Sequence, residues 1–452
     1  MQSKNTIRVT RITAVIFSLL LITAMAVFAL LYSLAGKGDK PTLTKDEIRE
    51  NIISVTESKR DYRYAAYYLS EYGIPSFDAS KFKAAESFFE TRSVYEQKPK
   101  EELALKTAEL FLEYYFDTTD LSDKTLVTDK LLTCFSEATG DKYAVYRTAD
   151  EYEEYNTDMS GSFVGIGVYV KYSEQDNTIT VSSVMENSAA LDAGVLAGDC
   201  LYAVDGKTLT ELGYGAFINA IRGEVGTSVT LTVIRGGEYI DLTAVRKQIT
   251  EKSVSYSIDA EKIGKVRITA FKQNTAEQFR EAIDALEAAG AVGIIFDLRD
   301  NPGGYLQTTV DVIDYLVPAG TRIASATRIS GEDIYTAKNE HFITVPITVI
   351  FNDATASGGE LFSAAMRDYA AMGILKCTTV GTNTYSKGVM QSTGTFSDGS
   401  TLTLTVGYYN PPSNVNYDGI GVAPDVEVKW SADGDAQLDA AYAEIKKLIK
   451  QK

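Results

Sequence analysis

The stretch PITVIFNDATASGGELFSAAMRDYAA, residues 346–371, decides how the C-terminal half of this 452-residue chain folds. It begins with an apolar run that is typical of a buried strand, and it continues with the spacing of an amphipathic helix. Small and polar residues form a tight turn between the two, and Ser357 lies at or just before the first helical turn. Free N–H groups and the helix dipole favour a developing negative charge on oxygen there. Serine is also a common helix N-cap, so this stretch alone leaves the role of Ser357 open.

Strands and helices alternate on the N-terminal side of this stretch. The run IGKVRITAF (263–271) predicts a strand, TAEQFREAIDALEAAG (275–290) a helix, and AVGIIFDL (291–298) a buried strand. A further helix is predicted from about residue 308 to residue 316, and ITVPITVIF (343–351) predicts another buried strand. Alternation of this kind is typical of an α/β layered domain.

Two glycines follow the buried strand in IIFDLRDNPGGYL, residues 294–306. Loops at the carboxyl ends of strands are where α/β domains bind ligands. The backbone N–H groups of Gly303 and Gly304 could therefore face an oxyanion, although Pro-Gly turns are also common as plain turns.

A nucleophilic serine needs a base, and the chain has one histidine, His341. His341 stands in the polar stretch KNEHFIT and is more simply explained as a surface or loop-edge residue. Lysine can replace histidine where burial lowers its pKa, because desolvation disfavours the ammonium form. The run VGTNTYSKGVMQSTG, residues 380–394, offers Lys387, although most lysines are solvated surface charges.

Short alternating runs bounded by glycine and asparagine mark a β-rich module at residues 158–247. Within it, FVGIGVYV (163–170) resembles the carboxylate-binding loop and the next strand of a PDZ domain, and two later stretches (184–209 and 217–237) resemble its remaining helices and strands. One departure is Ser188-Ala189, where the family usually has Ser-Pro. A PDZ domain binds a peptide C-terminus as an added strand at its sheet edge.

The resemblance places the carboxylate of such a peptide on the backbone N–H groups of Gly165, Ile166 and Gly167. Glycine at two of these positions allows the peptide to approach the backbone closely.

Three motifs follow this module in the order DLRDNPGG (297–304), NDATASGGE (352–360) and GTNTYSKGVMQ (381–391). Together they resemble the C-terminal processing peptidases of family S41, also called tail-specific proteases, over residues 131–428. The resemblance implies a serine protease whose core is an α/β fold of the Clp protease and crotonase kind with a β-rich C-terminal part. It implies Ser357 as the nucleophile, Lys387 as the general base and Gln391 as the group that orients the lysine.

The same resemblance implies an oxyanion hole made by the N–H groups of Gly358 and of Gly303 or Gly304. It also implies that Arg222 is the residue through which the PDZ domain helps to assemble the active site. Two departures stand out: Gly358-Gly359 replaces Ala-Ser after the nucleophile, and Ser386 replaces the glycine before the lysine. No metal or cofactor is needed for this chemistry.

Composition excludes some other classes of function. The formal net charge is −17, which argues against binding to nucleic acid, whose phosphates need a basic surface. The three cysteines are far apart in sequence and imply no disulfide framework, and a single histidine makes a structural zinc site improbable.

The N-terminus predicts a membrane anchor. Lys4, Arg8 and Arg11 precede the uncharged run Ile12–Leu34, which spans roughly 30 Å or slightly more as a helix. Positive charge on its N-terminal side predicts that this end is cytoplasmic and the remainder extracytoplasmic. A cleavable signal peptide is the alternative, although the apolar run is long for one.

The predicted fold is multidomain, of α/β and α+β class, with domains as follows: a cytoplasmic tail at 1–11, a transmembrane anchor at 12–34, a helical N-terminal region at 40–157, a PDZ domain at 158–247 and a serine protease domain at 248–452. The predicted function is that of a membrane-anchored extracytoplasmic serine endopeptidase that recognises protein C-termini, and its N-terminal helices could form a homodimer. The alternatives are a catalytically silent PDZ protein that only binds peptides, and a crotonase-like acyl-CoA enzyme.

Overall fold

The computed structural model describes residues 77–95, 100–116 and 118–451 of the chain. These residues form two compact units, one made of 77–82, 100–116 and 118–138, the other made of 83–95 and 139–451. The described helices are α1 (Ala79–Arg92), α2 (Lys100–Tyr114), α3 (Lys124–Ala138), α4 (Ala149–Ser160), α5 (Ala189–Ala193), α6 (Leu209–Leu212), α7 (Tyr214–Ile221), α8 (Thr275–Ala288), α9 (Leu306–Asp314), α10 (Gly358–Ala371) and α11 (Ala436–Lys450).

The described strands are β1 (Val145–Arg147), β2 (Ser162–Gly165), β3 (Val168–Ser173), β4 (Thr178–Val184), β5 (Cys200–Val204), β6 (Lys207–Thr208), β7 (Ser228–Arg235), β8 (Glu238–Val245), β9 (Lys247–Thr250), β10 (Val254–Ile258), β11 (Ile263–Ile268), β12 (Gly293–Asp297), β13 (Arg322–Arg328), β14 (Gly331–Thr336), β15 (Ile347–Phe351), β16 (Cys377–Gly381), β17 (Val389–Thr395), β18 (Thr401–Asn410) and β19 (Val426–Glu427).

The smaller unit is helical. Apolar residues of α2 and α3 are buried, among them Phe111 and Leu131, and the ring of Phe135 meets that of Phe82 edge-on at 5.3 Å between centroids. Within the described ranges no helix is long and apolar enough to cross a membrane. The predicted anchor at residues 12–34 lies outside those ranges.

The largest core surrounds a six-stranded sheet of order β10-β11-β12-β15-β16-β19, in which β10 is antiparallel and the remaining pairs are parallel. Successive residues of a strand point to opposite faces, so Phe296 packs with Phe279 of α8 while Ile295 packs with Ile445 of α11. Helices thus cover both faces of the sheet, and the predicted α/β layered domain is confirmed.

Parallel pairing of β12 with β15 determines where the loops with Gly303 and Ser357 meet. Asp297 lies opposite Ile350, so both strands end at the same edge of the sheet. The loop of residues 298–305 and the turn of residues 352–357 are therefore neighbours, and Ala356 donates its N–H to the carbonyl of Asn301 at 2.8 Å.

A second, antiparallel sheet of order β1-β18-β13-β14, with β17 paired to β18, forms the β-rich part of this domain. It carries Gln391 on β17 and Tyr409 on β18. The third module has the sheet order β3-β4-β5-β7-β8, with β6 beside β5, around a core that includes Val181, Phe217 and Leu231. The chain segments that enter and leave this module are joined by antiparallel pairing of β2 with β9.

Two element boundaries differ from the sequence predictions. The strand predicted at 343–351 is confined to Ile347–Phe351, because Pro346 has no N–H to donate to a ladder. The helix predicted at about 308–316 begins at Leu306 and ends at Asp314. Neither difference moves the loops at the carboxyl ends of the strands.

Candidate active site

Ser357 stands at the sharp turn between β15 and α10. Its backbone has φ 53° and ψ −115°, a conformation that costs a non-glycine residue on the order of 1–3 kcal/mol. The side chain is half-buried, and its Oγ lies 3.1 Å from the hydroxyl of Tyr409. The same Tyr409 hydroxyl lies 2.9 Å from the carbonyl oxygen of Lys387 and bridges the two predicted catalytic residues.

A buried carboxylate links the serine turn to the lysine loop. Glu360 is fully buried in the first turn of α10, and its Oε2 accepts the N–H of Ser357 at 2.9 Å and the N–H of Lys387 at 2.8 Å. Its Oε1 accepts the N–H of Ser386 at 2.7 Å and the hydroxyl of Thr384 at 2.5 Å. Four donors thus converge on one side chain, so the two loops are held together by their backbones.

Lys387 lies in the loop between β16 and β17. Burial lowers the pKa of its ammonium, and the nearby carboxylates of Asp141 and Glu360 partly oppose that effect. Its Nζ lies over the ring of Tyr143, 4.4 Å from the centroid. No hydrogen bond joins this Nζ to Ser357 within the described part of the chain.

Gln391, the predicted partner of the lysine, has a different neighbour in this structure. Its Nε2 donates to Thr405 Oγ1 at 3.2 Å, and Thr405 in turn donates its N–H and its hydroxyl to the carboxylate of Asp141 at 2.7 and 3.0 Å. Gln391 is thus linked through Thr405 to Asp141, whose charge also acts on Lys387, and the orienting role of Gln391 stays a prediction.

The glycine loop after β12 touches the serine turn. A Cβ on Gly303 would lie 2.7 Å from the N of Gly358 and 2.7 Å from Cβ of Ser357, so only glycine fits there. The N–H of Gly303 is already donated to Asn301 Oδ1 at 2.8 Å. The N–H groups of Gly304 and Gly358 have no acceptor among the described residues, which favours Gly304 over Gly303 as the second oxyanion donor.

The departures from the family pattern have local explanations. A Cβ on Gly358 would lie 2.6 Å from Thr309 Oγ1, and one on Gly359 would lie 2.9 Å from a methyl of Thr355, so neighbours fill the space of the missing side chains. Ser386 has φ 83°, in the left-handed region that favours glycine, and here a serine adopts it with its N–H on Glu360.

In the β-rich module, the predicted carboxylate-binding loop lies between β2 and β3. The carbonyls of Ile166 and Gly167 accept the N–H groups of Ala190 and Met185 at 2.8 and 3.0 Å. The N–H groups of Ile166 and Gly167 have no acceptor in the described ranges, whereas Gly165 belongs to β2, paired with β9. Gly167 has φ 81°, and a Cβ there would lie 2.5 Å from Ser188, so this loop requires glycine.

Arg222 follows the last turn of α7, and its N–H is donated to the carbonyl of Ile218 at 3.2 Å. Its guanidinium makes no hydrogen bond or ion pair with any described residue. Arg246, which the sequence did not single out, holds the end of the helix, since its guanidinium donates to the carbonyls of Ile221 and Ala220 at 3.0 and 2.8 Å.

His341 is engaged in a separate cluster. Its ring stacks on Tyr315 at 3.9 Å, its Nδ1 lies 2.7 Å from the Tyr315 carbonyl, and its Nε2 lies 3.1 Å from Glu287. Among the described residues, Asp284, Glu287 and His341 are the group that could hold a metal ion, with ligand atoms within 4.8 Å of one another. Asp284 already accepts the Tyr315 hydroxyl at 2.6 Å, so all three have partners.

Several residues of this site were missed by sequence reasoning. Glu360 lies in the motif NDATASGGE, three residues after Ser357, and Asn301 lies in the motif DLRDNPGG, two residues before Gly303. These spacings were the available signal. Asp141, Tyr143 and Tyr409 come from distant parts of the chain, and no local pattern marks them.

Comparisons with known proteins agree with the motifs. Residues 262–428 match the family model of Peptidase family S41, and residues 180–235 match that of the PDZ domain. A "Probable CtpA-like serine protease" of Staphylococcus saprophyticus is 31% identical over 323 residues, which are 71% of this chain and 63% of the relative. The "Carboxy-terminal processing protease CtpA" of Bacillus subtilis is 32% identical over 296 residues, which are 65% of this chain and 61% of the relative.

Among solved structures, the photosystem II D1 C-terminal processing protease is similar over 77% of this chain and 92% of its own, with 22% sequence identity and a TM-score of 0.44. The chain spans less than two thirds of the length of the curated relatives named above.

Proposed function

Because the chain combines a PDZ domain with a domain of Peptidase family S41, it belongs with the C-terminal processing peptidases, and we propose that it is a serine endopeptidase that acts on protein C-termini. In this proposal Ser357 is the nucleophile, Lys387 the general base and Gln391 the group that orients the lysine. The N–H groups of Gly358 and Gly304 form the oxyanion hole.

One observation carries the proposal: the backbones of Ser357 and Lys387 are hydrogen-bonded to the same buried carboxylate, that of Glu360. A Ser–Lys pair needs a serine at a turn and a lysine whose pKa is lowered. Ser357 stands at a strained strand–helix turn, and burial lowers the pKa of Lys387. A plain helix cap would need neither the strained backbone nor the half-buried lysine.

The chemistry proceeds through an acyl-enzyme. Ser357 Oγ attacks the peptide carbonyl carbon, its proton passes to neutral Lys387, and Lys387 returns that proton to the departing amine. Water then attacks the ester, gives its proton to Lys387 and releases the new carboxyl end, after which the proton returns to Ser357 Oγ. For the first transfer, the Lys387 side chain must turn from the ring of Tyr143 towards Ser357.

The PDZ domain captures the substrate. The N–H groups of Ile166 and Gly167 bind the terminal carboxylate of the substrate, together with that of Gly165 if it is freed from its ladder. The open edge of β3 binds the preceding residues as an added strand. Arg222, whose guanidinium is unengaged within the described ranges, links this capture to assembly of the catalytic loops.

The proposed location is the extracytoplasmic face of the cell membrane. The support is in the sequence alone, namely three basic residues before the uncharged run of residues 12–34. The partners are then unfolded or loosely folded proteins with accessible C-termini.

The test is cleavage of a peptide with a free C-terminus by the purified full-length chain. We expect Ser357→Ala and Lys387→Ala each to lower kcat/KM by about 10³-fold or more. His341→Ala is the matched control, because it removes the one histidine and leaves the lysine route intact. An inactive histidine variant beside an active lysine variant would overturn the mechanism. Peptide binding without cleavage by the wild-type chain would favour the silent peptide-binding alternative.

A further inference from the structure

The ring beneath Lys387 comes from a part of the chain that the motifs do not include. Tyr143 lies just before β1, and its backbone is fixed because its N–H is donated to Asp141 Oδ1 at 2.9 Å. Asp141 is itself buried and anchored by Thr405. The backbone of Tyr143 is therefore anchored, through Asp141, to the same Thr405 that contacts Gln391.

We propose that the Lys387 ammonium rests over the face of the Tyr143 ring in the free enzyme, which makes Tyr143 a positioning residue for the general base. This inference rests on the proposed function, because it concerns the base of that reaction. An ammonium over an aromatic face is attracted by the ring quadrupole, and the attraction is stronger when water is excluded. The distance of 4.4 Å from Nζ to the centroid is well within the range of this interaction.

The other charges around Lys387 shift its pKa in both directions. Burial lowers the pKa of Lys387, the carboxylates of Asp141, Glu360 and Asp418 raise it, and the ammonium of Lys142 lowers it. Lys142 also lies near the same ring, with its Nζ 4.8 Å from the centroid. The Tyr143 ring adds to the groups that stabilise the charged form, and an ammonium that lies over it makes no hydrogen bond to Ser357 among the described residues.

The sign of the pH effect follows from the role of the base. The neutral amine accepts the serine proton, so activity is present above the pKa of Lys387 and is lost as pH falls through it. Removing the ring removes a stabiliser of the ammonium and lowers this pKa. Tyr143→Leu should therefore shift the acid limb of the kcat/KM profile to lower pH, by about 0.4–1.5 pH units for an attraction of this kind.

Tyr143→Phe keeps the ring and should retain the wild-type midpoint of the acid limb. Tyr155→Leu is the matched control, since it removes a similar contact, Arg147 over the Tyr155 ring at 4.4 Å, that does not involve Lys387. Its midpoint should not move. An unmoved midpoint in Tyr143→Leu, or an equal shift in Tyr143→Phe, would overturn the inference.

A second measurement does not depend on how Tyr143→Leu folds. Protons above an aromatic face are shielded, so NMR of the full-length chain with labelled lysine should show upfield methylene signals that disappear in Lys387→Met. If no upfield signal is lost in Lys387→Met, the Lys387 side chain does not lie over the Tyr143 ring in solution and the inference is wrong. Failure of the proposed function is distinguishable, because it appears as wild-type protein without cleavage or as active Lys387→Ala.

Discussion

At the scale of single residues, the site depends on Glu360 as much as on Ser357 and Lys387. An ionised carboxylate only accepts hydrogen bonds, and Glu360 accepts four without any exposure to solvent. These bonds hold the backbone of Ser357 in its strained conformation and that of Ser386 in the left-handed region. The strain at the Ser357 turn is thus offset by one buried side chain.

Glu360→Gln should disrupt this arrangement while nearly preserving its volume. The glutamine amide has one acceptor oxygen, and its NH₂ would face N–H donors, so buried donors would lose their partners at about 1–3 kcal/mol each. We expect a thermal unfolding midpoint lowered by several degrees, and peptide cleavage reduced by about tenfold or more. Calorimetry and the peptide assay measure the two effects.

Glu340→Gln is the matched control, because Glu340 is exposed in the same domain. It should behave as wild type in both assays. Wild-type cleavage and an unchanged midpoint in Glu360→Gln would show that the carboxylate is not the link between the loops.

At the scale of elements, β3 and α7 are the two sides of the proposed peptide groove. Strand β3 lies at the edge of its sheet and pairs only with β4 in the described structure. Val168, Val170 and Tyr172 of β3 and Tyr214 and Ile218 of α7 are partly buried against the same core. Tyr172 and Tyr214 stack at 4.6 Å, at the end of the groove away from the Ile166-Gly167 loop.

The spacing of this groove predicts which residues of a bound peptide it selects. Alternate residues of an added strand are about 6.6 Å apart, which matches the spacing of residues four apart on a helix, such as Ile218 and Tyr214. With the carboxylate at the loop, the last side chain lies beside Ile218 and the third from last beside the two tyrosines. Both positions should therefore prefer apolar side chains.

The measurement is peptide binding to the full-length Ser357→Ala chain by fluorescence anisotropy. A peptide with aspartate third from its end should bind about 10- to 100-fold more weakly than one with valine there, the equivalent of burying one apolar side chain. Amidating the terminal carboxylate should also weaken binding. Equal affinity for the valine and aspartate peptides would contradict the assigned groove.

At the scale of the whole molecule, the sequence predicted the features that depend on residues close to one another in the chain. The layered α/β core followed from apolar strands and amphipathic helices, and the loops with Gly303 and Ser357 followed from motifs at strand ends.

The bridging Tyr409 and the ring of Tyr143 could not be predicted, because they reach Ser357 and Lys387 through a separate antiparallel sheet and its flanking loop. The partner of Gln391 was not predictable either, since Thr405 and Asp141 meet only in the folded chain.

The PDZ and protease domains are joined by polar contacts as well as by the chain. Lys272, nearly buried, forms ion pairs with Asp158 at 2.9 Å and with Glu251 at 2.6 Å, and Asn274 Nδ2 donates to the carbonyl of Gly161 at 2.7 Å. All of these lie where the chain enters and leaves the PDZ domain. The proposed coupling between peptide capture and catalysis therefore has a defined junction through which to act.

The proposed mechanism requires a covalent bond to Ser357 during cleavage. The most direct measurement is mass spectrometry of the full-length chain, acid-quenched during turnover of an activated ester substrate and digested into peptides. We expect the acyl group on the peptide that contains Ser357, and we expect it to be absent in Lys387→Ala. Substrate turnover with the acyl group on another residue, or with equal acylation of Ser357 in Lys387→Ala, would contradict the proposed mechanism.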